Sequence, residues 1–156
     1  YVCFIFSFSF FFLFLFIFGA MGGCQAEVGS ASAMAAAAAV EAAGGTPQES
    51  SEAFATALGN LLGLVCDPVA GLVEVPCVKR NAIGAGNALI AADMALAGIT
   101  NVIPADETIE AMRSIGVRMP RELRETGIGG TAGTRTGVAI KMRIFGEDVS
   151  LNPEQE

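Results

Sequence analysis

The stretch GCQAEVGSASAMAAAAAVEAAGG, Gly23 to Gly45, decides the fold. Alanine has the best helix propensity, and from Ala26 to Ala43 only a few polar residues, among them Ser30, Ser32 and Glu41, interrupt a small, apolar run. Gly44 and Gly45 stop it. Side chains this short let a helix approach its neighbours closely, which predicts an all-α fold: a compact bundle of about four to six helices with functional loops between them.

Towards the C-terminus the same language continues. Thr46, Pro47 and Glu49 spell a capping box with proline in the first turn, so a second helix is expected from there to about Leu62. Ala53, Ala57, Leu58, Leu61 and Leu62 give it an apolar stripe, and Gly63 marks its exit. CDPVAGLVEVPC, Cys66 to Cys77, reads as a loop from its Asp-Pro pair, Gly71 and second proline. A third helix is expected from near Val78 through Ala97, closed by Gly98. Gly84 and Gly86 lie inside it, each about 1 kcal/mol worse than alanine, which predicts close packing or a ligand against the backbone. Pro104 and Asp106 open a shorter helix to about Ile115, and Pro120 a short turn through Glu125. GIGGTAGTRTG, Gly127 to Gly137, reads as a loop, and it lacks the order of a phosphate-binding loop. No segment after Gly22 reads as a series of strands.

Towards the N-terminus the composition changes abruptly. Val2 to Phe18 contains only Val, Cys, Phe, Ile, Leu and Ser and holds nine of the chain's eleven phenylalanines. With Gly19, Ala20 and Met21 it nears the roughly 20 residues of a membrane span. It has neither a flanking basic residue nor the charged start of a signal peptide. Three readings stay open for it: a membrane or interfacial segment, a native core helix, or sequence wrongly joined to a domain that begins near Gly22. The chain is accordingly divided into a hydrophobic segment over 1–21, a helical domain over 22–146 and a frayed acidic tail over 147–156.

Composition removes whole classes of function. Nine Lys and Arg against 16 Asp and Glu give a net charge of -7, which repels a nucleic-acid backbone. The absence of histidine excludes His-based triads and HExxH metal sites. Of the four cysteines, Cys3 lies in the greasy run without charge or turn beside it. Cys24 follows two glycines and precedes a helix, whose N-terminal N–H groups favour a thiolate. Cys77 stands in the same relation to the third helix, with Lys79 and Arg80 following, and Cys66 lies just beyond the second helix. Such a trio can rim one metal site; it can also be three small buried hydrophobes, or contain a Cys66–Cys77 disulfide. The spacing matches no zinc or ferredoxin pattern. Glu27 and Asp67 flank cysteines, with turn or helix-cap roles expected for both.

Three segments carry a family resemblance: GCQAEVGSASAMAAAA, then NLLGLVCDPVAGLVEVPCVKRNAIGAGNALIAADMALAG, then RETGIGG. Over Gly22 to Gly146 the chain resembles the second half of the catalytic alpha subunit or domain of the iron–sulfur-dependent L-serine dehydratases. The resemblance implies an all-helical domain, a 4Fe-4S cluster held by Cys24, Cys66 and Cys77 with one iron open to substrate, and conversion of L-serine to pyruvate and ammonia. It further implies a beta subunit or beta domain as partner and a cytoplasmic setting, with a membrane contact only if residues 2–21 are native; self-association stays open. Lys79, Arg80 and Asn81 are candidates for meeting the substrate carboxylate or supporting the cluster's charge, arginine being the better bidentate partner. The family's catalytic unit begins well upstream of the GCQAEVG motif, so a fragment of a larger helical domain is expected, inactive alone. The competing expectation is a non-enzymatic helical protein, membrane-associated or partner-binding, with its cysteines in the core.

Overall fold

The structure is a computed structural model that describes residues 19–146. The phenylalanine-rich run up to residue 18, with Cys3, and the acidic tail over 147–156 lie outside the described residues. The described part is helical: α1 (Gly19–Gly22), α2 (Ser30–Ala42), α3 (Pro47–Gly59), α4 (Cys77–Leu96), α5 (Ala105–Arg118) and α6 (Arg135–Phe145). Short 3-10 turns at Val69–Gly71 and Arg121–Leu123 punctuate the loops, and the sole bridge pairing among the described residues joins Cys66 to Arg124. No helix among them is long and apolar enough to cross a membrane.

The alanine run does what its composition dictates. In α2, Ala33, Ala36 and Val40 are fully buried against Ala53, Phe54, Ala57 and Leu58 of α3 and Ala88, Ala91, Ala92 and Ala95 of α4. Eight of these twelve core residues, which Met112 of α5 completes, are alanine. Methyl groups therefore set the helix separation, and burial of many small surfaces takes the place of a few large side chains. The chain leaves α2 through a left-handed Gly44 (φ +84°), and Gly45 N–H donates to Val40 O at 2.9 Å in a Schellman closure. A Cβ on Gly45 would lie 2.5 Å from Val40 Cγ1, so glycine is needed there for space.

Helix α3 begins as expected. The Thr46 side chain accepts from Glu49 N–H, and the Glu49 carboxylate accepts from Thr46 N–H at 2.6 Å. It ends at Gly59, three residues before Leu62, because the chain turns through Gly63 (φ +81°) to deliver Cys66. Helix α4 keeps Gly84 for the predicted reason: a Cβ there would lie 2.7 Å from Val28 Cγ1. Gly86 departs from that expectation, since a Cβ there would meet nothing within 4 Å.

One helix outruns its sequence expectation and another, α6, stands where none was expected. Helix α5 passes Ile115 and reaches Arg118, because Gly116 is a packing position and not a stop: a Cβ on it would lie 3.0 Å from Gly22 Cα. Helix α6 starts inside the segment read as a loop to Gly137. Its first turn is capped by Thr134, whose hydroxyl accepts from Gly137 N–H at 3.1 Å, a start hidden by the glycine rhythm around it.

Candidate metal centre

The first functional side chain is positioned by a distortion of the alanine helix. Gln25–Gly29 forms a π-turn leading into α2, and Cys24 immediately precedes it in right-handed helical geometry. Gln25, fully buried, clamps this corner: its amide donates to Met112 O at 3.0 Å and its oxygen accepts from Gly63 N–H at 2.9 Å. Gln25 N–H also donates to Leu64 O at 2.8 Å, tying the turn to the strand-like segment that carries Cys66. Cys66 is fixed at both ends, its N–H donating to Leu123 O at 2.9 Å and its O accepting from Glu125 N–H at 2.7 Å. Cys77 opens α4.

All three thiols are free and buried, and all three line one cavity of about 230 Å³ with Glu27, Val28, Ala31, Pro68, Val73, Asn81 and Glu125. The Cys66–Cys77 disulfide admitted by the sequence is not formed. Cys24, Cys66 and Glu27 are the tightest group, with one ligand atom of each within 4.8 Å of the others; Cys77 lies outside that triple but on the same cavity. The two sulfurs also pack with Val28 against Leu61 and Leu64, so the cysteines are core residues as well as cavity wall.

Electrostatics separates the thiols. The hydrogen bond from Cys66, helped by the Arg80 guanidinium, outweighs burial and holds the Cys24 thiol down at about 7. Cys66 is pushed up by that same hydrogen bond and by burial, and Cys77 by burial and then by the charge of Cys24. The Glu27 carboxylate works against ionisation of all three.

Of the three candidates after Cys77, the structure gives each a different setting. Arg80 donates through Nη1 to Asp67 Oδ1 at 2.5 Å and to Val65 O at 2.7 Å, bracing α4 against the Cys66 loop. Asn81 lines the cavity, whereas Lys79 is exposed and does not. Asp67, only 2% exposed, is the hub of the polar bracing. Its Oδ2 accepts from Thr131 N–H at 2.6 Å, and its backbone O accepts from the Thr131 hydroxyl at 2.9 Å. Burial pushes its carboxyl up, but the Thr131 bonds and Arg80 together outweigh that and the net shift is down. The glycine-rich loop thus wraps an aspartate: Gly130 (φ +58°) comes so close that a Cβ would clash with Asp67. The turn or helix-cap role expected for Asp67 is not what it performs: its carboxylate bonds Arg80 and Thr131, 13 and 64 positions away, and so braces separate segments.

One cavity residue, Glu125, escaped the sequence reading, and another, Glu27, was expected in a different role. Glu125, an exposed residue lining the cavity, has left-handed backbone (φ +64°), a conformation worth roughly 1–3 kcal/mol of strain, held by its bond to Cys66 O. Glu27, expected to cap, does accept from Gly19 N–H at 3.0 Å, yet its carboxylate also belongs to the thiol triple. Its position three residues after Cys24, at the spacing of one helical turn, was the available signal.

Residues 11–132 match the family described as serine dehydratase alpha chain, a match that takes in part of the phenylalanine-rich segment. A probable L-serine dehydratase alpha chain of Latilactobacillus sakei is 74% identical over 134 residues, covering 86% of this chain and 64% of the relative. The corresponding probable alpha chain of Bacillus subtilis is 72% identical over 128 residues, 82% of this chain and 43% of its own length. The L-serine dehydratase alpha chain of Peptoniphilus asaccharolyticus is 57% identical over 129 residues, 83% and 44% respectively. The chain therefore spans roughly two fifths to two thirds of these curated relatives.

Proposed function

The chain belongs to the serine dehydratase alpha-chain family, and from that premise we propose that it supplies the cluster-binding part of an L-serine ammonia-lyase, which eliminates water from L-serine to give pyruvate and ammonia. The observation that carries this reading is the convergence of three free, buried thiols from three separate segments on one cavity. A donor set of three cysteines without histidine suits an iron–sulfur cluster, and Cys24, Cys66 and Cys77 would hold it as a 4Fe-4S group by three corners. When bound, such a cluster supplies Lewis-acid chemistry at the iron without a cysteine.

The chain's own residues provide the rest. The Cys24 thiol, already lowered to about 7, gives the first anionic ligand. Arg80 puts a fixed positive charge beside an anionic group, its guanidinium held by Asp67 and the glycine-rich loop behind it. Asn81, on the cavity wall, offers a carboxamide to the serine carboxylate or ammonium; Lys79, exposed and off the cavity, is left to steer charge from a distance. Buried Val28 gives the cavity an apolar wall beside the thiols. Loss of the α proton and the β hydroxide gives aminoacrylate, whose imine tautomer hydrolyses in water.

Activity is assigned to the longer protein, with a beta subunit or beta domain completing the substrate site. Ile83, Gly86 and Ile90 of α4 support a protein partner: the two isoleucines are 64% and 60% exposed at helical spacing, and Gly86 faces open space between them. The setting that suits free thiols and a labile cluster is the reducing cytoplasm. Anaerobic reconstitution with iron and sulfide, read by absorbance and EPR, tests the centre: about four irons per chain are expected, and a chain with intact cysteines that takes up no iron overturns it. Serine deamination by the chain with and without its beta partner then separates ligation from turnover.

A further inference from the structure

Glu27 is oddly placed for a residue whose only task is to hold backbone. Its carboxylate oxygen, Cys24 Sγ and Cys66 Sγ all lie within 4.8 Å of one another, whereas Glu125 lines the same cavity outside that triple. An anion beside thiols opposes their conversion to thiolates, so with nothing between them this arrangement is repulsive. An iron ion within reach of the carboxylate turns the same geometry attractive, since the oxygen then meets a local positive charge. The carboxylate is also aimed: Gly19 N–H donates to Oε1 at 3.0 Å, and Gly19 is pressed so closely that a Cβ would lie 3.2 Å from Oε1 and 2.9 Å from Cys66 Sγ. The π-turn that carries Glu27 is the same one that Cys24 precedes, so carboxylate and thiol are set by one piece of backbone.

We propose that the Glu27 carboxylate is the fourth protein donor of this centre, meeting the iron that Cys24, Cys66 and Cys77 leave without a cysteine; the inference rests on the cluster reading above. Carboxylate oxygen is a harder and weaker ligand for iron than thiolate, so it retains the fourth iron in the resting centre and yields to the oxygen of the substrate. No electron or proton needs to be exchanged for that ligand replacement.

The test is retention of the fourth iron, measured apart from turnover. Wild-type, Glu27→Gln and Glu27→Asp chains are reconstituted anaerobically and titrated with ferricyanide, following iron per chain and the EPR signal of the oxidised three-iron cluster. Glu27→Gln still offers Gly19 N–H an acceptor oxygen but removes the anion. The expected result is release of the fourth iron about tenfold faster or more in Glu27→Gln, with the three-iron core intact and Glu27→Asp nearer the wild type. Release at the wild-type rate in Glu27→Gln overturns the proposal. So does complete loss of iron from a Glu27→Gln chain that keeps its helical circular dichroism, because a donor to one iron leaves the three-cysteine core in place. If the Gln variant does not fold, the Asp and Asn pair at this position makes the same charge comparison. Absence of any cluster in the wild-type chain is a different result, which removes the cluster reading itself.

Discussion

Two halves of this small bundle are built on opposite principles. Around Ala33, Ala57 and Ala91 the helices are packed chiefly through methyl groups, with Asn87 donating to Ala57 O and to the Ser32 hydroxyl at the edge of that core. Around Cys24, Cys66 and Cys77 the backbone is irregular, the packing leaves a cavity of about 230 Å³, and position is fixed by hydrogen bonds from Gln25, Asp67 and Arg80. The first half provides stability at the expense of chemistry, since saturated side chains do nothing. The second provides reactive groups that tight packing would bury uselessly, and it depends on the first for rigidity. The difference teaches that the two should fail independently except where one residue joins them.

The sharpest way to break this division is Cys24→Ser. It should abolish cluster uptake outright, yet leave far-UV circular dichroism and the unfolding midpoint close to wild type; loss of helix in the apo chain would show that the thiol corner supports the scaffold. Leu58→Ala should do the reverse. Leu58 is fully buried in the alanine core, so its truncation should cost about 3 kcal/mol in urea unfolding while iron per folded chain is unchanged. Gly84→Ala probes the join, because its new methyl would collide with Val28, which packs on Cys24 and Cys66. About 1–3 kcal/mol of destabilisation is expected there, together with slower cluster reconstitution. Thr46→Ala, at the far end of α3, should cost about 1 kcal/mol and leave the centre untouched.

The smallest effect concerns pH. Bonds from Thr46 hold the Glu49 carboxyl below its ordinary 4.5 in the folded chain. A depressed folded value means the contribution is fully present above about 4.5 and is lost as the pH falls through the folded value. Thermal unfolding followed downward from pH 6 should therefore show a slight decline below about 4.5 that Glu49→Gln reduces. An equal decline in the variant would assign the acid sensitivity to Glu52, whose carboxyl is lowered chiefly by the Asn101 N–H, or to Asp67.

Legibility followed the range of the interactions involved. The capping box of Thr46 and Glu49, the glycine exits at Gly44 and Gly98 and the helix starts after proline are short-range devices, and each stands where the residues put it. Gly116 was misleading for the same reason reversed: whether a glycine stops a helix or packs it depends on a neighbour distant in the chain, here Gly22. Thr134 caps a residue only three positions on, and its start was masked by the glycines around it. Among the site residues, local sequence around Cys24, Cys66 and Cys77 marked them as a set, while spacing said nothing. Arg80 was singled out for its charge, but that its guanidinium would be spent on Asp67 follows only from the Cys66 loop folding back on α4. Glu125 looks like an ordinary surface carboxylate until the cavity exists, and Glu27, expected as a cap beside Cys24, joins the thiols only there.

By itself, then, the sequence determined an all-helical chain whose alanines demand close packing, whose glycines and prolines divide the helices, and whose cysteines sit where helices begin or end. Those are properties of single residues and near neighbours, carried by backbone propensity and side-chain size. The tertiary structure alone decided that the three thiols share one cavity, that an aspartate wrapped by glycines holds the arginine beside them, and that a carboxylate joins the sulfurs. Each of these depends on contacts between residues tens of positions apart, which are fixed only when burial of the alanine faces brings the helices together.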